Sequence, residues 1–257
     1  MCVHNNQTIE VNGTLIRFQH LKQNTDPAAP TLVFLHEGLG CIEFWKDVPS
    51  LLAQETGLNI LSYDRQGHGQ SDPLSSPRTV EYLHHEAQLV LPLLLEKLGI
   101  SRPILIGHSD GGSIALLYAA HHPTRAIVTE AAHIFVEEVT LEGIKHAVAA
   151  YPKIKDKLYK YHGEKTDTLF YAWADTWLTP EFIGWNIEKE VNNIQCPSLI
   201  IQGIDDEYAT QEQVTKIVSL IGESAISVMI ENCGHTPHIQ AKEATLKQML
   251  TFIRKVL

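Results

Sequence analysis

The chain has 257 residues, 44% hydrophobic and 19% charged, with 30 Asp and Glu against 20 Lys and Arg and a formal net charge of -10. That length allows a substantial core, while the acidic balance argues against nucleic acid as a partner, because phosphate contacts need clustered Lys and Arg. The longest strongly apolar run, Leu89 to Leu95 with Pro92 inside it, is too short to span a bilayer, so no membrane association is expected. The first residues, Met-Cys-Val-His-Asn-Asn-Gln, have neither the basic start nor the apolar stretch of a secretory leader, and a cytoplasmic protein is expected.

The opening Gln7 to Gln19 alternates around Asn12-Gly13, the pattern of a β-hairpin with a tight turn. After Pro30, short apolar runs alternate with longer helical patterns. Strands are predicted at Thr31–Leu35, Asn59–Tyr63, Ile104–Ile106, Ala126–Thr129, Leu199–Ile201 and Ser227–Ile230. Helices are predicted near 43–56, 79–99, 110–121, 210–221 and 241–256. Such alternation implies a parallel sheet covered on both faces, with the loops that follow the strands gathered along one edge. Between Glu130 and Ser198 no strand is evident. Helical patterns at Val139–Ala150, Ile154–Tyr161, Thr166–Leu178 and Glu181–Val191 fill the gap, too long for an ordinary connection. This predicts an α/β core of residues 1–134 and 193–257 with a helical cap, 135–192, inserted over the strand ends. The cap's many aromatic residues serve its packing and, for Trp173 and Trp177, a substrate pocket.

The four cysteines, at 2, 41, 196 and 233, form no Cys-x-x-Cys pair and read as free thiols. The 14 histidines raise the question of a metal. His84-His85 and His121-His122 are adjacent, hence about 100° apart on a helix, and His36-Glu37 has no second histidine four residues on; no metal is expected. His4, His20, His84, His85, His121, His122 and His162 read as surface residues, His108 as packed beside its neighbours, and His238 as a cap or solvated end of the last helix. His133 lies where it could reach a pocket. Lys153, Lys155, Lys157, Lys160 and Lys165 read as a solvated face.

Gly107-His108-Ser109-Asp110-Gly111-Gly112 follows one predicted strand and opens a helix. A serine on a sharp strand-to-helix turn exposes its hydroxyl, and the N–H of Asp110 at the helix start points where an oxyanion would form. A serine hydroxyl needs a base to take its proton, and His235, in Asn232-Cys233-Gly234-His235, sits after the last strand. A carboxylate to orient that base is available in Gly203-Ile204-Asp205-Asp206-Glu207, at the end of another strand.

With these motifs the chain resembles an α/β-hydrolase over nearly its whole length, and Asp64-Arg-Gln-Gly-His-Gly-Gln-Ser-Asp72 resembles the loop such enzymes carry before the elbow strand. The resemblance implies a mostly parallel eight-stranded sheet, a triad in the order Ser109, acid, His235, and no cofactor. The family's acid falls at Asp206, with Asp205 in reserve and Glu207 behind it. In His36-Glu37-Gly38-Leu39-Gly40 the resemblance makes Gly38 the second oxyanion donor, with Leu39 the alternative donor and a pocket residue; Glu37 departs from the family's glycine. Asp110 either answers the helix dipole or turns toward the pocket to hold a cation, as the resemblance to valacyclovir-cleaving hydrolases with Ser-Asp-Gly-Gly implies. The expected activity is hydrolysis of a small or medium ester. Thioester cleavage, C–C bond hydrolysis, perhydrolysis, lipase action and a low-turnover receptor are the rivals, because the pocket rather than the fold decides.

Overall fold

Asn12 and Gly13 both take positive φ, 50° and 76°, the conformation of a two-residue turn that matches the twist of paired strands. The turn joins β1 (Asn6–Val11) to β2 (Thr14–Leu21) in antiparallel register, Val11 opposite Thr14. The structure, a computed structural model, describes residues 6–26 and 28–257; Cys2 and His4 fall outside them. Then come β3 (Thr31–Leu35), β4 (Asn59–Tyr63), β5 (Ile104–His108), β6 (Ala126–Glu130), β7 (Ser198–Gly203) and β8 (Ala225–Ile230). The order across the sheet is β1-β2-β4-β3-β5-β6-β7-β8. β2 pairs antiparallel with β1 and β4, and every other pairing is parallel. The expected mostly parallel eight-stranded sheet is the one observed.

Successive strand residues face opposite sides, so each central strand feeds two cores. Leu32 and Phe34 of β3 pack with α1 (Val48–Thr56) and the last helix, through Leu52, Phe252 and Ile253. Val33 and Leu35 pack on the other side with Leu83, Leu91, Ile114 and Leu117. These residues come from α2 (Tyr82–His85), α3 (Leu91–Lys97) and α4 (Asp110–His121), α2 and α3 being joined by a π-helical turn at Glu86–Val90. Each such fully buried side chain contributes roughly 1.5–3 kcal/mol. α4 is buried along almost its whole length and only Ser109 separates it from β5, so Ser109 is held between two buried elements.

Between β6 and β7 the chain is helical: α5 (Glu138–His162), α6 (Thr166–Leu178), α7 (Pro180–Ile183) and α8 (Glu188–Val191). Two expectations need correction here. The helix broken at Pro152 is continuous, because Ile144, Tyr151 and Leu158, seven residues apart, are buried on one face and hold both halves to the same surface. Tyr151 stacks on Phe170 at 3.8 Å. The loss of one backbone hydrogen bond at Pro152 is offset by that packing. The single helix expected at Glu181–Val191 is two short ones, and between them Asn186 pairs with Phe135, while Ile187 N–H donates to the Ile134 carbonyl, 2.8 Å. The two ends of the helical segment are thereby tied together. The chain closes with α9 (Gln211–Ile221), α10 (Pro237–Gln240) and α11 (Lys242–Val256). Among the described residues no helix is long and apolar enough to cross a membrane.

Candidate active site

Ser109 carries φ 52° and ψ −118°, a conformation that costs a residue with a side chain on the order of 1–3 kcal/mol and persists only where its surroundings enforce it. They do so here. Ser109 N–H donates to the Glu130 carbonyl of the neighbouring strand, 2.8 Å, and its own carbonyl accepts from Ser113 N–H, 3.0 Å. The turn also needs its flanking glycine, since a Cβ on Gly111 would lie 1.9 Å from the Leu35 carbonyl oxygen. The strained turn aims Oγ at a cavity of about 360 Å³ along the C-terminal edge of the sheet.

The loop after β8 brings His235 Nε2 within 3.0 Å of Ser109 Oγ, and the loop after β7 brings Asp206 Oδ1 within 2.9 Å of His235 Nδ1. Nδ1 therefore carries the proton donated to Asp206, which leaves Nε2 as the acceptor facing the serine. Of the three carboxylates in that loop, only Asp206 reaches the ring. Asp205 is exposed, and Glu207 accepts from the backbone N–H of His235 instead, 3.1 Å. The Asp206 side chain is fully buried. Burial alone would raise its pKa, but the hydrogen bond and charge of His235, with the Tyr208 N–H, hold it below the ordinary carboxylate range. His108 Nε2 donates to the His235 carbonyl, 2.7 Å, fixing the loop from below. Burial, with the charges of His238 and His235, keeps that imidazole neutral.

The loop 36–40 is pinned by its carbonyls. Arg65 Nη2 donates to the Glu37 carbonyl, 2.8 Å, and His162 Nε2 to the Leu39 carbonyl, 2.9 Å, while His68 Nε2 lies 3.1 Å from the Gly38 carbonyl oxygen. Among the described residues nothing accepts the N–H of Gly38, Leu39 or Asp110, and all three residues line the cavity with Ser109. The Asp110 side chain, 1% exposed, accepts from the Tyr82 hydroxyl, 2.8 Å, and lies 3.7 Å from Arg65 Nη2. Its carboxylate is thus engaged by Tyr82 and Arg65 where it borders the cavity. Trp177 Nε1 in turn donates to the Tyr82 oxygen, 2.9 Å, so α6 is wired to the first residue of α4.

Trp173, Trp177 and His133 all line the cavity. Trp173 lies directly over Gly38, where a Cβ would meet its ring at 2.5 Å. His133 is buried, with Nε2 donating to the Tyr208 carbonyl, 3.1 Å; burial and the nearby His235 lower its pKa. Several residues here escaped sequence reasoning. Tyr82 and Tyr208 belong to no motif, and Arg65, although it lies in the Asp64–Asp72 stretch, carries no local signal of its contact with Asp110. His162 is buried rather than exposed, because its Nδ1 accepts from Gly69 N–H, 2.9 Å, while Nε2 holds Leu39. His238 does not cap the last helix: it is buried against Glu130, 2.7 Å from Nδ1 to Oε2. Lys165 is not on a solvated face, since its Nζ donates to the carbonyls of His68, Gly69 and Ser71.

Cys41, Glu43 and Asp64 bring three potential metal ligands within 4.8 Å of one another, but the donor set suits a guanidinium. Arg17 Nη2 lies 2.6 Å from Glu43 and Nη1 3.0 Å from Asp64, and burial with the Asp64 charge keeps the Cys41 thiol protonated.

Residues 30–178 match the family model described as alpha/beta hydrolase fold. The chain belongs to that family. A relative named 2-hydroxy-6-oxononadienedioate/2-hydroxy-6-oxononatrienedioate hydrolase 2, from Pseudomonas putida, is 27% identical over 259 residues, covering 88% of each chain. The sn-1-specific diacylglycerol lipase ABHD11 of Mus musculus is 34% identical over 98 residues, 38% of this chain and 30% of that one. Among solved structures, the enol-lactonase of Burkholderia xenovorans LB400 superposes with a TM-score of 0.78 over 96% of this hydrolase and 100% of that chain, at 20% identity; this likeness is one of fold.

Proposed function

We propose that this alpha/beta hydrolase cleaves a small or medium carboxylic ester, with Ser109 as nucleophile, His235 as general base and Asp206 as its orienting acid. The observation that most directly supports the reading is the unbroken line from Ser109 Oγ to His235 Nε2, 3.0 Å, and from His235 Nδ1 to Asp206, 2.9 Å, opening on the cavity. In this reading His235 Nε2 takes the hydroxyl proton as Oγ attacks the carbonyl carbon. The carbonyl π pair moves to oxygen, where the N–H groups of Asp110 and Gly38 receive it, each worth about 2.7–4 kcal/mol in the transition state. Collapse expels the alcohol, which takes the proton from His235. Water then gives a proton to His235 and attacks the acyl-serine, releasing the acid and restoring Ser109. Residues 135–192 act as a cap over a core of 1–134 and 193–257, with Leu39, His133, Trp173 and Trp177 contacting the substrate. No cofactor, nucleic acid or membrane enters the scheme, and a cytoplasmic location is consistent with it.

A second reading is C–C bond hydrolysis by the same residues, favoured by the likeness to the Pseudomonas putida enzyme across 88% of both chains. The test is turnover of p-nitrophenyl esters from acetate to decanoate beside 2-hydroxy-6-oxononadienedioate, each with wild type and Ser109→Ala. Ester turnover lost in the variant supports the first reading. Turnover of the dioate alone supports the second.

A further inference from the structure

The charges around the cavity are one-sided. Among the described residues its lining includes the carboxylates of Glu37, Asp110 and Glu207 but no Lys or Arg. Its imidazoles add little positive charge, because burial keeps His108 and His133 neutral, and His238 is matched by Glu130. Of the three acids, Asp110 is engaged by Tyr82 and Arg65, and Glu207 accepts from His235 N–H. Glu37 differs: its side chain stays 19% exposed, with Oε2 3.9 Å from His108 Nδ1, and although burial raises its pKa, the charges of His238, Arg65 and His235 oppose that shift. The loop is built around this carboxylate. A Cβ on Gly40 would fall 2.0 Å from Glu37 Oε2, so the glycine provides the space in which the acid lies. Aromatic rings of Phe44, Trp173 and Tyr208 form other parts of the wall, and ring faces attract cations where they repel anions.

We propose that the cavity selects substrates by charge: it takes esters whose acyl chain ends in an ammonium group ahead of those with a neutral end, and excludes those ending in a carboxylate, with Glu37 the specificity-determining residue. The proposal rests on the ester-hydrolase reading. A carboxylate entering the cavity meets like charge, and the one imidazole of the lining whose pKa is raised, His238, is already paired with Glu130, a juxtaposition that disfavours binding. An ammonium group finds an acid within an otherwise largely aromatic wall.

The test uses three p-nitrophenyl esters of equal length, those of hexanoic acid and 6-aminohexanoic acid and the monoester of hexanedioic acid, compared by kcat/KM in the full chain. The expected order is ammonium, neutral, carboxylate, with at least tenfold between first and last. In Glu37→Gln the ammonium-to-neutral ratio falls by about tenfold, whatever the absolute rates, and Gly40→Ala, which displaces the same carboxylate, lowers the ratio in the same direction. Equal or faster turnover of the carboxylate ester, or a ratio unmoved in both variants, overturns charge selection and leaves the ester reading standing. Release of p-nitrophenol from none of the three, or release that survives Ser109→Ala, overturns the ester reading and this proposal with it.

Discussion

At the scale of single residues, the candidate site depends on how two histidines are partnered. Asp206 fixes which nitrogen of His235 faces Ser109; an amide in its place can donate to Nδ1 and turn the wrong tautomer toward the serine. Asp206→Asn is therefore expected to lower kcat by about 10⁴-fold with the fold intact, measured by steady-state ester kinetics beside circular dichroism. His238 offers a test through stability. Burial works against its protonation, but the charge and hydrogen bond of Glu130, helped by Glu37, raise its pKa above 6.5 in the folded state. In the interval above 6.5 the folded protein then holds a proton that the unfolded chain releases, so stability from this pair is complete below 6.5 and fades as pH rises through the folded value. Urea midpoints of wild type and His238→Gln should differ most at pH 6 and converge as the solution becomes alkaline. A difference that grows with pH contradicts the assignment. The residues legible in the sequence, Ser109, Asp206 and His235, each sit in a short motif at a strand end. Tyr82 was not legible, nor was the contact that Arg65 makes, because each depends on a partner far along the chain: 28 residues separate Tyr82 from Asp110.

At the scale of elements, local pattern was informative wherever one strand or helix met one environment. The buried strands are continuous apolar runs, and α4 and α6 begin and end where their patterns do. Pattern failed where tertiary contact overrode propensity, at Pro152 inside α5 and in the two short helices tied back by Asn186. The strand-to-helix turn is the element on which the site depends most. Gly111→Ala places a methyl group 1.9 Å from a fixed carbonyl oxygen, and is expected to destabilise the protein by about 3 kcal/mol or more. Gly184→Ala, with φ −85° and open space around it, should be neutral or stabilising by about 0.4–1 kcal/mol. Denaturant midpoints of the two variants provide the comparison.

At the scale of the whole molecule, the sheet supplies one edge to which three distant loops return, and the helical segment between β6 and β7 contacts those loops through Trp173 and Trp177. The alternation of strands and helices implied that edge, and the gap without strands implied a helical segment between β6 and β7. The contacts between them, Trp173 over Gly38 and Trp177 through Tyr82 to Asp110, could not be read from pattern, since pattern does not say which helix face meets which loop. The measurement that bears most directly on the central claim is labelling by a fluorophosphonate, which adds to a serine activated by an adjacent base. The account predicts one equivalent of label, found on the peptide carrying Ser109, abolished in His235→Ala and accompanied by loss of ester hydrolysis. Label on another residue, or hydrolysis that continues in fully labelled protein, would contradict it.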